Sequence, residues 1–350
     1  ESKIKEKGRV GPGQMIAVNF NQKKLYKDND LKSYLSSSKP FSNWNKKITH
    51  IDKLLQSTEE HFRDVDKAEL RKRMTALGWT IEDLELILQP MIVEQKEAAG
   101  SMGDDTPLAV LTDKYRGLHH FFRQNFSQVT NPPIDSLREN EVMSLKTRFG
   151  NTGNILDFEN LTKENIYVLD GPILTNSQLK KFKNIFSEKV RIIDCTFDVK
   201  DNLKNRLEQI KEESEIAVRE GANHLILSDQ NISEHRANVP MILAVGAVNS
   251  NLVKHCIRGY SSINVHTSEV MDTHSFAVLI GVGATTINPY LAIDSIHQRY
   301  EKKLFGKLDF ESCVERFKQS VNAGLLKIMS KMGISVLSSY RGGCNFEAVG

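Results

Sequence analysis

The hydrophobic pattern of the second half of the chain alternates between short apolar runs and longer amphipathic segments. The runs that predict strands are IYVLDGPILT, VRIIDCTFDV, ANHLILSD, PMILAVGAV, SINVHTSE and FAVLIGVGA, and charged stretches with helical periodicity separate most of them. Buried strands that alternate with helices are typical of βαβ units in a parallel sheet. About five or six such units fall short of an eight-unit barrel. We therefore expect an α/β fold with an incomplete parallel βα barrel.

The first part of the chain has a different pattern. The segment GQMIAVNFNQKKLYKD predicts a β-hairpin with a polar turn at residues 21–24, and a mostly helical stretch follows to about residue 150. We expect a hairpin with a helical part over residues 1–150 and the barrel-like part over residues 151–350. The charged start and the apolar-rich stretch before Gly350 lead us to expect that both ends are cut from something longer.

Two helices can be placed within the first part. Thr80 is followed three residues later by Asp83 and then by a periodic apolar run, which predicts a helix N-cap at Thr80. Pro90 is expected to end or bend this helix, because proline lacks an amide hydrogen and clashes with the preceding turn. A second helical pattern covers residues 118–126, and Asn131 with the two prolines after it marks its stop.

Composition and charge exclude several classes of protein. The 350 residues include 47 Lys+Arg and 44 Asp+Glu, and the net charge of +3 is too small to predict a nucleic-acid or membrane partner. No apolar run approaches the roughly 20 residues of a membrane helix. The four cysteines are far apart and form no CxxC pair, so no disulfide framework or metal site is expected. This cysteine usage indicates a reducing compartment, and we expect a cytoplasmic protein.

The densest polar cluster outside a predicted helix is SMGDDTP at residues 101–107. Its adjacent carboxylates could bind a cation or cap a helix, but neighbouring side chains usually point apart and no further ligand can be placed. The run GVGA at residues 281–284 suits a phosphate or a tight turn, and it lacks the third glycine of a dinucleotide-binding motif. A loop and a turn are the favoured interpretations.

Spacing alone reveals no catalytic constellation. The ten histidines are scattered, and no nucleophile elbow is present. Acidic residues do follow several predicted strands, namely Asp170, Asp194, Asp229 and Glu269. Ligands of parallel α/β folds lie at the carboxyl ends of strands. One possible function is therefore an autonomous enzyme, or a binding domain for a small anionic ligand or flavin at the strand ends.

Several long segments resemble the central domain of the glutamate synthase family. They are GSMGDDTPLAVLT (100–112), FRQNFSQVTNPPIDSLRENEVMSL (122–145), PMILAVGAVNSNLV (240–253), HSFAVLIGVGATTINPYLA (274–292) and LLKIMSKMGISVLSSYRGGCNFEAVG (325–350). The segments GPGQMIAV and LGWTIEDLELILQPM (77–91) are similar to the same family. The resemblance extends over essentially the whole chain.

The resemblance implies a parent enzyme that converts glutamine, 2-oxoglutarate and two electrons into two glutamates. In this family a glutaminase domain precedes the central domain, and a barrel that binds FMN and an iron–sulfur cluster follows it. Electrons come from ferredoxin or through a small electron-transfer subunit. The central domain is a rudimentary relative of the FMN barrel that connects the two catalytic domains. The resemblance therefore implies no complete active site, cofactor site or metal site in this fragment.

The family also channels ammonia between its two active sites, and the resemblance implies that the central domain contributes to the tunnel wall. Ammonia must stay unprotonated to react, so such a wall favours apolar side chains, carbonyl groups and hydroxyls over charges. The candidates for the tunnel or the domain interface are Thr80, Met102, Asp104, Asp105, Thr106 and Asn131. For Thr80 a helix cap is the alternative, and for Met102 it is core packing.

Overall fold

A computed structural model describes residues 3–55, 66–97, 115–126, 133–154, 156–157 and 165–348. The chain divides into two units, Glu1–Ile48 and Thr49–Gly350. No helix among these residues is both long and apolar enough to span a lipid bilayer. The predicted tunnel residues from Met102 to Thr106, and Asn131, lie outside the described residues.

The first unit contains the predicted hairpin. Strands β1 (Ala17–Asn19) and β2 (Lys24–Tyr26) pair antiparallel, with Ala17 opposite Tyr26. The connecting turn places Lys23 in the left-handed region, with φ of 52°. Helices α1 (Asp28–Ser37) and α2 (Phe41–Asn45) follow. The hairpin and its polar turn are therefore where the sequence predicted them.

The second unit begins with short elements: β3 (Ile48–His50), α3 (Asp52–Leu55), α4 (Lys67–Ala76), α5 (Gln89–Val93), β4 (Phe122–Gln124), α6 (Ser136–Val142), β5 (Thr147–Phe149) and β6 (Ile166–Leu169). Strand β6 lies between β3 and β5 in a three-stranded sheet and runs antiparallel to β5. The first run of the expected parallel sheet, IYVLDGPILT, thus supplies a strand of a different sheet.

The remaining elements are α7 (Asn176–Ile185), β7 (Val190–Asp194), β8 (Thr196–Asp198), α8 (Leu203–Arg219), β9 (His224–Ser228), β10 (Arg236–Asn238), α9 (Met241–Lys254), β11 (Ser262–Thr267), α10 (Thr273–Gly281), β12 (Thr286–Pro289), α11 (Tyr290–Glu301), α12 (Phe310–Lys331), α13 (Leu337–Tyr340) and β13 (Phe346–Ala348). Strands β7, β9, β11 and β12 form a parallel sheet in that spatial order. Strand β8 pairs with β10, and β4 pairs with β13. The described fold is a mixed α/β architecture built around this parallel sheet.

The two faces of the parallel sheet support two separate cores. On β9, Leu225 and Leu227 pack into the larger core, which includes residues of α8 and α9. Ile226, between them, faces the other way and joins an aromatic cluster that includes Phe149 and Phe182. Successive side chains on a strand point to opposite faces, so burial on both faces explains why these runs are continuously apolar.

Two of the runs predicted as strands are helices. Residues 241–248 begin α9, and residues 276–281 end α10. A continuous apolar run is compatible with a buried strand or a helix buried on most sides, and periodicity cannot separate them. Every residue of α10 is buried, which removes the polar face that would mark it as a helix. Gly283, with φ of 125°, terminates this helix before β12.

One prediction in the helical part differs from the structure, and of the two effects expected of Pro90 the structure excludes the helix end. Residues 118–126 form a short 3-10 turn (Leu118–Phe121) followed by β4, because this segment pairs with the distant β13. Pro90 does not end its helix, which continues to Val93. A π-helical turn at Asp83–Leu88 precedes the proline, and such wide turns remove the clash that proline causes in a regular helix.

The aromatic cluster predicts a large stability cost for truncation of Phe182. Its side chain is fully buried and lies 4.9 Å, between ring centroids, from both Phe186 and His224. Phe182→Ala should lower the free energy of unfolding by about 3–5 kcal/mol, measured by denaturant titration of the purified chain. Ile185→Ala, on the same helix but 46% exposed, is the matched control and should cost about 1 kcal/mol or less. Equal losses for the two variants would contradict this account of the core.

Candidate functional site

A cleft of about 450 Å³ lies beside the residues that follow β11. Three stretches of chain meet there: the turn after α4, residues 115–120, and residues 269–272. The lining residues are Leu77, Gly78, Trp79, Thr80, Glu82, Asp83, Ile87, Tyr115, Arg116, Gly117, His119, His120, Glu269, Met271 and Asp272. The position agrees with the expectation that functional groups gather at the carboxyl ends of parallel strands.

Asp229, directly after β9, ties the ends of two strands together. Its buried carboxylate accepts hydrogen bonds from the Thr267 hydroxyl at 2.7 Å and from the amide and hydroxyl of Ser268, both at 2.9 Å. Burial raises the pKa of Asp229, and these hydrogen bonds oppose the rise by stabilising the charged form. The end of β11 is therefore held against the end of β9.

Glu269 connects the same strand end to the start of α9. Its carboxylate accepts from the amide of Met241, with both oxygens at 3.1 Å, and from the side-chain amide of Asn238. Burial, together with the charge of Asp229, raises the pKa of Glu269 to about 8. At neutral pH this side chain is therefore mostly protonated and uncharged.

His119 is a second uncharged group in the cleft. Burial lowers the pKa of His119 to about 3, and the charge of Asp272 only partly offsets the shift. The Nε2 of His274 lies 3.0 Å from the carbonyl oxygen of His119, so this nitrogen carries the proton and donates it. The phenol of Tyr115 is uncharged at neutral pH already at its ordinary pKa of about 10; desolvation and then the charges of Glu269 and Asp229 raise its pKa further, and the residue is 44% exposed.

The uncharged side chains of the cleft suit a small, neutral, polar guest, and they share the lining with Glu82, Asp83, Arg116 and Asp272. Neutral imidazole, protonated carboxyl and phenol groups can donate or accept hydrogen bonds without placing a full charge in the cleft. Within the described ranges, no three His, Cys, Asp or Glu residues are grouped to hold a metal ion. Burial raises the pKa of Cys195 above its ordinary value, which leaves this thiol protonated rather than nucleophilic.

Thr80 is the predicted site residue that the structure describes, and it lies on the rim of this cleft. Its hydroxyl donates to the Asp83 carboxylate at 2.8 Å and accepts from the Asp83 amide at 3.2 Å, while its own amide donates to the same carboxylate at 2.7 Å. This reciprocal pattern is a helix cap. The predicted N-cap is therefore confirmed, and the same residue borders the cleft.

The strand-end carboxylates separate into different environments. Asp229 and Glu269 interact, whereas Asp194 forms an ion pair with Arg236 at 3.1 Å. Asp170 follows a strand of the other sheet, and its amide donates to Asp52.

Sequence reasoning missed Tyr115 and His119, since only tertiary contact brings them to Glu269. The one local signal was the pair of adjacent histidines at 119–120.

The raised pKa of Glu269 predicts a pH dependence of stability. Between its ordinary pKa of 4.5 and about 8, the native state retains a proton that the unfolded chain releases, so the free energy of unfolding falls as pH rises. The slope for one proton approaches about 1.4 kcal/mol per pH unit. Glu269→Gln keeps the hydrogen-bond acceptor and should flatten the curve between pH 5 and 8, measured by denaturant titration at each pH. Glu188→Gln, on the surface, should leave the slope unchanged; parallel curves for the wild type and Glu269→Gln would refute the assignment.

Comparison with known proteins places the chain in a family. The family model described as glutamate synthase central domain matches residues 72–350, and the one described as class-II glutamine amidotransferases matches residues 1–44. The second match lies within the first structural unit. Among solved structures, a flavocytochrome b2 variant gives a TM-score of 0.32 at 12% identity over 68% of this chain and 55% of its own.

Curated relatives extend the match to the whole chain. The glutamate synthase [NADPH] large chain of Azospirillum brasilense is 54% identical over 100% of this chain and 23% of its own length. The chloroplastic ferredoxin-dependent glutamate synthase of Spinacia oleracea is 38% identical, and the glutamate synthase [NADPH] large chain of Bacillus subtilis is 36% identical. These matches cover 100% and 98% of this chain, and each covers 22% of the relative. The chain thus spans less than a quarter of these relatives, and it belongs to the glutamate synthase family, in which it comprises the central domain.

Proposed function

We propose that this chain is the connecting part of a glutamate synthase and that its cleft forms part of the path for ammonia. The parent enzyme would convert glutamine, 2-oxoglutarate and two electrons into two glutamates. The amidotransferase match at residues 1–44, followed by the central-domain match at residues 72–350, supports a position directly after a glutaminase domain. The catalytic groups would then belong to neighbouring domains.

The feature that carries the proposal is the set of uncharged hydrogen-bonding side chains that line the cleft. Burial raises the pKa of Glu269 to about 8 and lowers the pKa of His119 to about 3, and the Tyr115 phenol is neutral at its ordinary pKa. A buried environment disfavours the charged form of an amine, so ammonia inside it tends to remain the neutral nucleophile. Uncharged hydrogen-bonding groups also allow ammonia to move on, whereas a fixed carboxylate would favour ammonium and hold it.

The charged residues of the cleft can be accommodated in the same proposal. The Asp83 carboxylate is engaged in the helix cap with Thr80, and Asp272 accepts a hydrogen bond from the Ser275 amide at the start of α10. Both carboxylates therefore have partners that stabilise their negative charge locally. Glu82 and Arg116 also line the cleft, and the uncharged side chains of Tyr115, His119 and Glu269 remain to face a passing molecule.

The strand arrangement supports an incomplete barrel related to the flavin-binding domain of the family. Four parallel strands follow one another in chain order across the sheet, as in βα barrels. Ile173 adds a further parallel bridge, to Ile287 on β12 at the edge of the sheet. We infer that this segment, which precedes β7 in the chain, begins to curve the sheet toward closure. The division of the domain near residue 150 is part of the same proposal.

The parent enzyme is expected to bind FMN and an iron–sulfur cluster in its following domain. Its electrons would come from ferredoxin or through a small electron-transfer subunit, in keeping with the names of the relatives. We place this activity in the cytoplasm.

A bulky side chain in the cleft should uncouple the two half-reactions of the full-length enzyme. Ile87 is half-buried and lines the cleft, so Ile87→Trp should narrow the path and let ammonia escape. We expect the ratio of glutamate formed from 2-oxoglutarate to glutamine hydrolysed to fall well below that of the wild type. Both quantities can be measured in one assay with isotopically labelled glutamine.

The matched control is Leu86→Trp. Leu86 is adjacent in the chain, 68% exposed, and not part of the cleft lining, so the same added volume should leave the coupling ratio unchanged. Complete coupling in a folded Ile87→Trp enzyme would rule out this cleft as the ammonia path. It would leave the family assignment intact.

A further inference from the structure

A second, smaller cavity lies on the other face of the parallel sheet, the face that carries Ile226. Its volume is about 180 Å³, and it is bounded by the carboxyl ends of β9, β11 and β12 and by the first two turns of α7. The lining residues are Asn176, Leu179, Lys180, Lys183, Gln230, His266, Asn288 and Tyr290. None of them lines the cleft described above.

Two asparagines of the lining each leave one buried hydrogen-bonding atom without a partner among the described residues. The side-chain amide nitrogen of Asn288 donates to the Leu174 carbonyl at 2.9 Å and to Asn176 Oδ1 at 3.0 Å. These bonds fix both amide orientations, since a carbonyl oxygen can only accept. Asn176 Nδ2, a donor, and Asn288 Oδ1, an acceptor, are then left buried without a partner among the described residues.

Because these atoms are buried and have no partner among the described residues, a bound molecule or solvent would satisfy them. Asn288 is 1% exposed and Asn176 is 9% exposed. An unsatisfied buried polar group costs about 1–3 kcal/mol, so native structures rarely leave one unpaired without an occupant of the site. The protein offers one donor, Asn176 Nδ2, and one acceptor, Asn288 Oδ1. They would complement a ligand that has both an acceptor and a donor.

The charge of the lining selects an anion. Lys180 and Lys183 lie one helical turn apart on α7, and no carboxylate is among the lining residues. Within the described ranges neither lysine forms an ion pair. Burial lowers the pKa of Lys183, and a bound anion would offset this loss of solvation. The start of α7, a ten-residue helix, adds a partial positive charge.

We propose that this cavity binds a small oxyanion that also carries a hydrogen-bond donor. The oxyanion would accept from Asn176 Nδ2 and from the two lysine ammonium groups, and its donor would bind Asn288 Oδ1. Hydrogen phosphate and an α-amino carboxylate such as glutamate both have this chemistry, and either fits a cavity of this size. The site is separate from the proposed ammonia path and does not depend on it.

The test is hydrogen exchange of the full-length polypeptide with inorganic phosphate, glutamate or 2-oxoglutarate, each compared with sodium chloride at equal ionic strength. Binding with a dissociation constant of about 1 mM should slow exchange across residues 175–185 about tenfold at about 10 mM ligand. Phosphate protection without glutamate protection, or the reverse, identifies the natural source of the oxyanion. 2-Oxoglutarate has a keto oxygen in place of the amino group and should protect less than glutamate.

Variants separate a built site from surface charge. Lys180→Gln with Lys183→Gln should abolish the protection, while Lys189→Gln, an exposed lysine outside the cavity, should leave it unchanged. Asn288→Leu should also abolish it, and the lysine variants decide the matter if that protein fails to fold. The proposal would be overturned if no anion slowed exchange, or if sodium chloride slowed it as much as the test anions do. It would also be overturned if the double lysine variant kept the protection. Equal protection by 2-oxoglutarate and glutamate would overturn the role of Asn288.

Discussion

The burial of two carboxylates at adjacent strand ends is the constraint on which the arrangement of this domain depends. An ionised carboxylate without partners in the interior costs several kcal/mol, and each hydrogen bond to a charged group returns about 1.5–3 kcal/mol. Asp229 meets this requirement with the amide of Ser268, whereas Glu269, which is mostly protonated at neutral pH, accepts from the amide of Met241. The first bond holds two strands in register at their ends, and the second fixes where α9 begins. A shift of either element would leave a buried carboxylate unsatisfied, so the position of the cleft follows from these bonds.

The same sheet separates an apolar face from a polar one. On β11, Ile263 and Val265 pack toward the helices, while Ser262, Asn264 and His266 alternate with them and face the other side. Their side chains are paired across strands: His224 with Ser262 at 2.9 Å, and Thr286 with Asn264 at 2.7 Å. A one-residue slip would bury these polar groups among helices, so the polar ladder specifies register as strongly as the apolar one does. This row of polar side chains also explains why the smaller cavity, at the end of the same face, has polar walls.

Sequence patterns predicted those parts of the structure that local chemistry determines. The hairpin at the start of the chain, the strands β7, β9 and β11, and the cap at Thr80 each have a local signal in turn residues, apolar alternation or capping spacing. The failures arise where burial on all sides removes that signal, as in α10, or where a distant partner decides the conformation, as in β4. The cleft is a further case in which contacts between distant parts of the chain decide the arrangement. Nothing local relates Tyr115 to Glu269, and their proximity follows from tertiary packing alone.

The geometry of Thr80 assigns the polar contacts of the cleft to other residues. A hydroxyl has one hydrogen to donate, and Thr80 donates it to Asp83 while accepting from the Asp83 amide. Thr80 can therefore shape the rim of the cleft, but its hydroxyl cannot donate to a passing molecule without breaking the cap, which is worth about 1 kcal/mol. Glu269 is itself engaged at a helix start, because it accepts from the amide of Met241 at the beginning of α9. In the proposed ammonia path, the hydrogen-bonding contacts would therefore come from residues 115–119, and the turn after α4 would limit the width of the path.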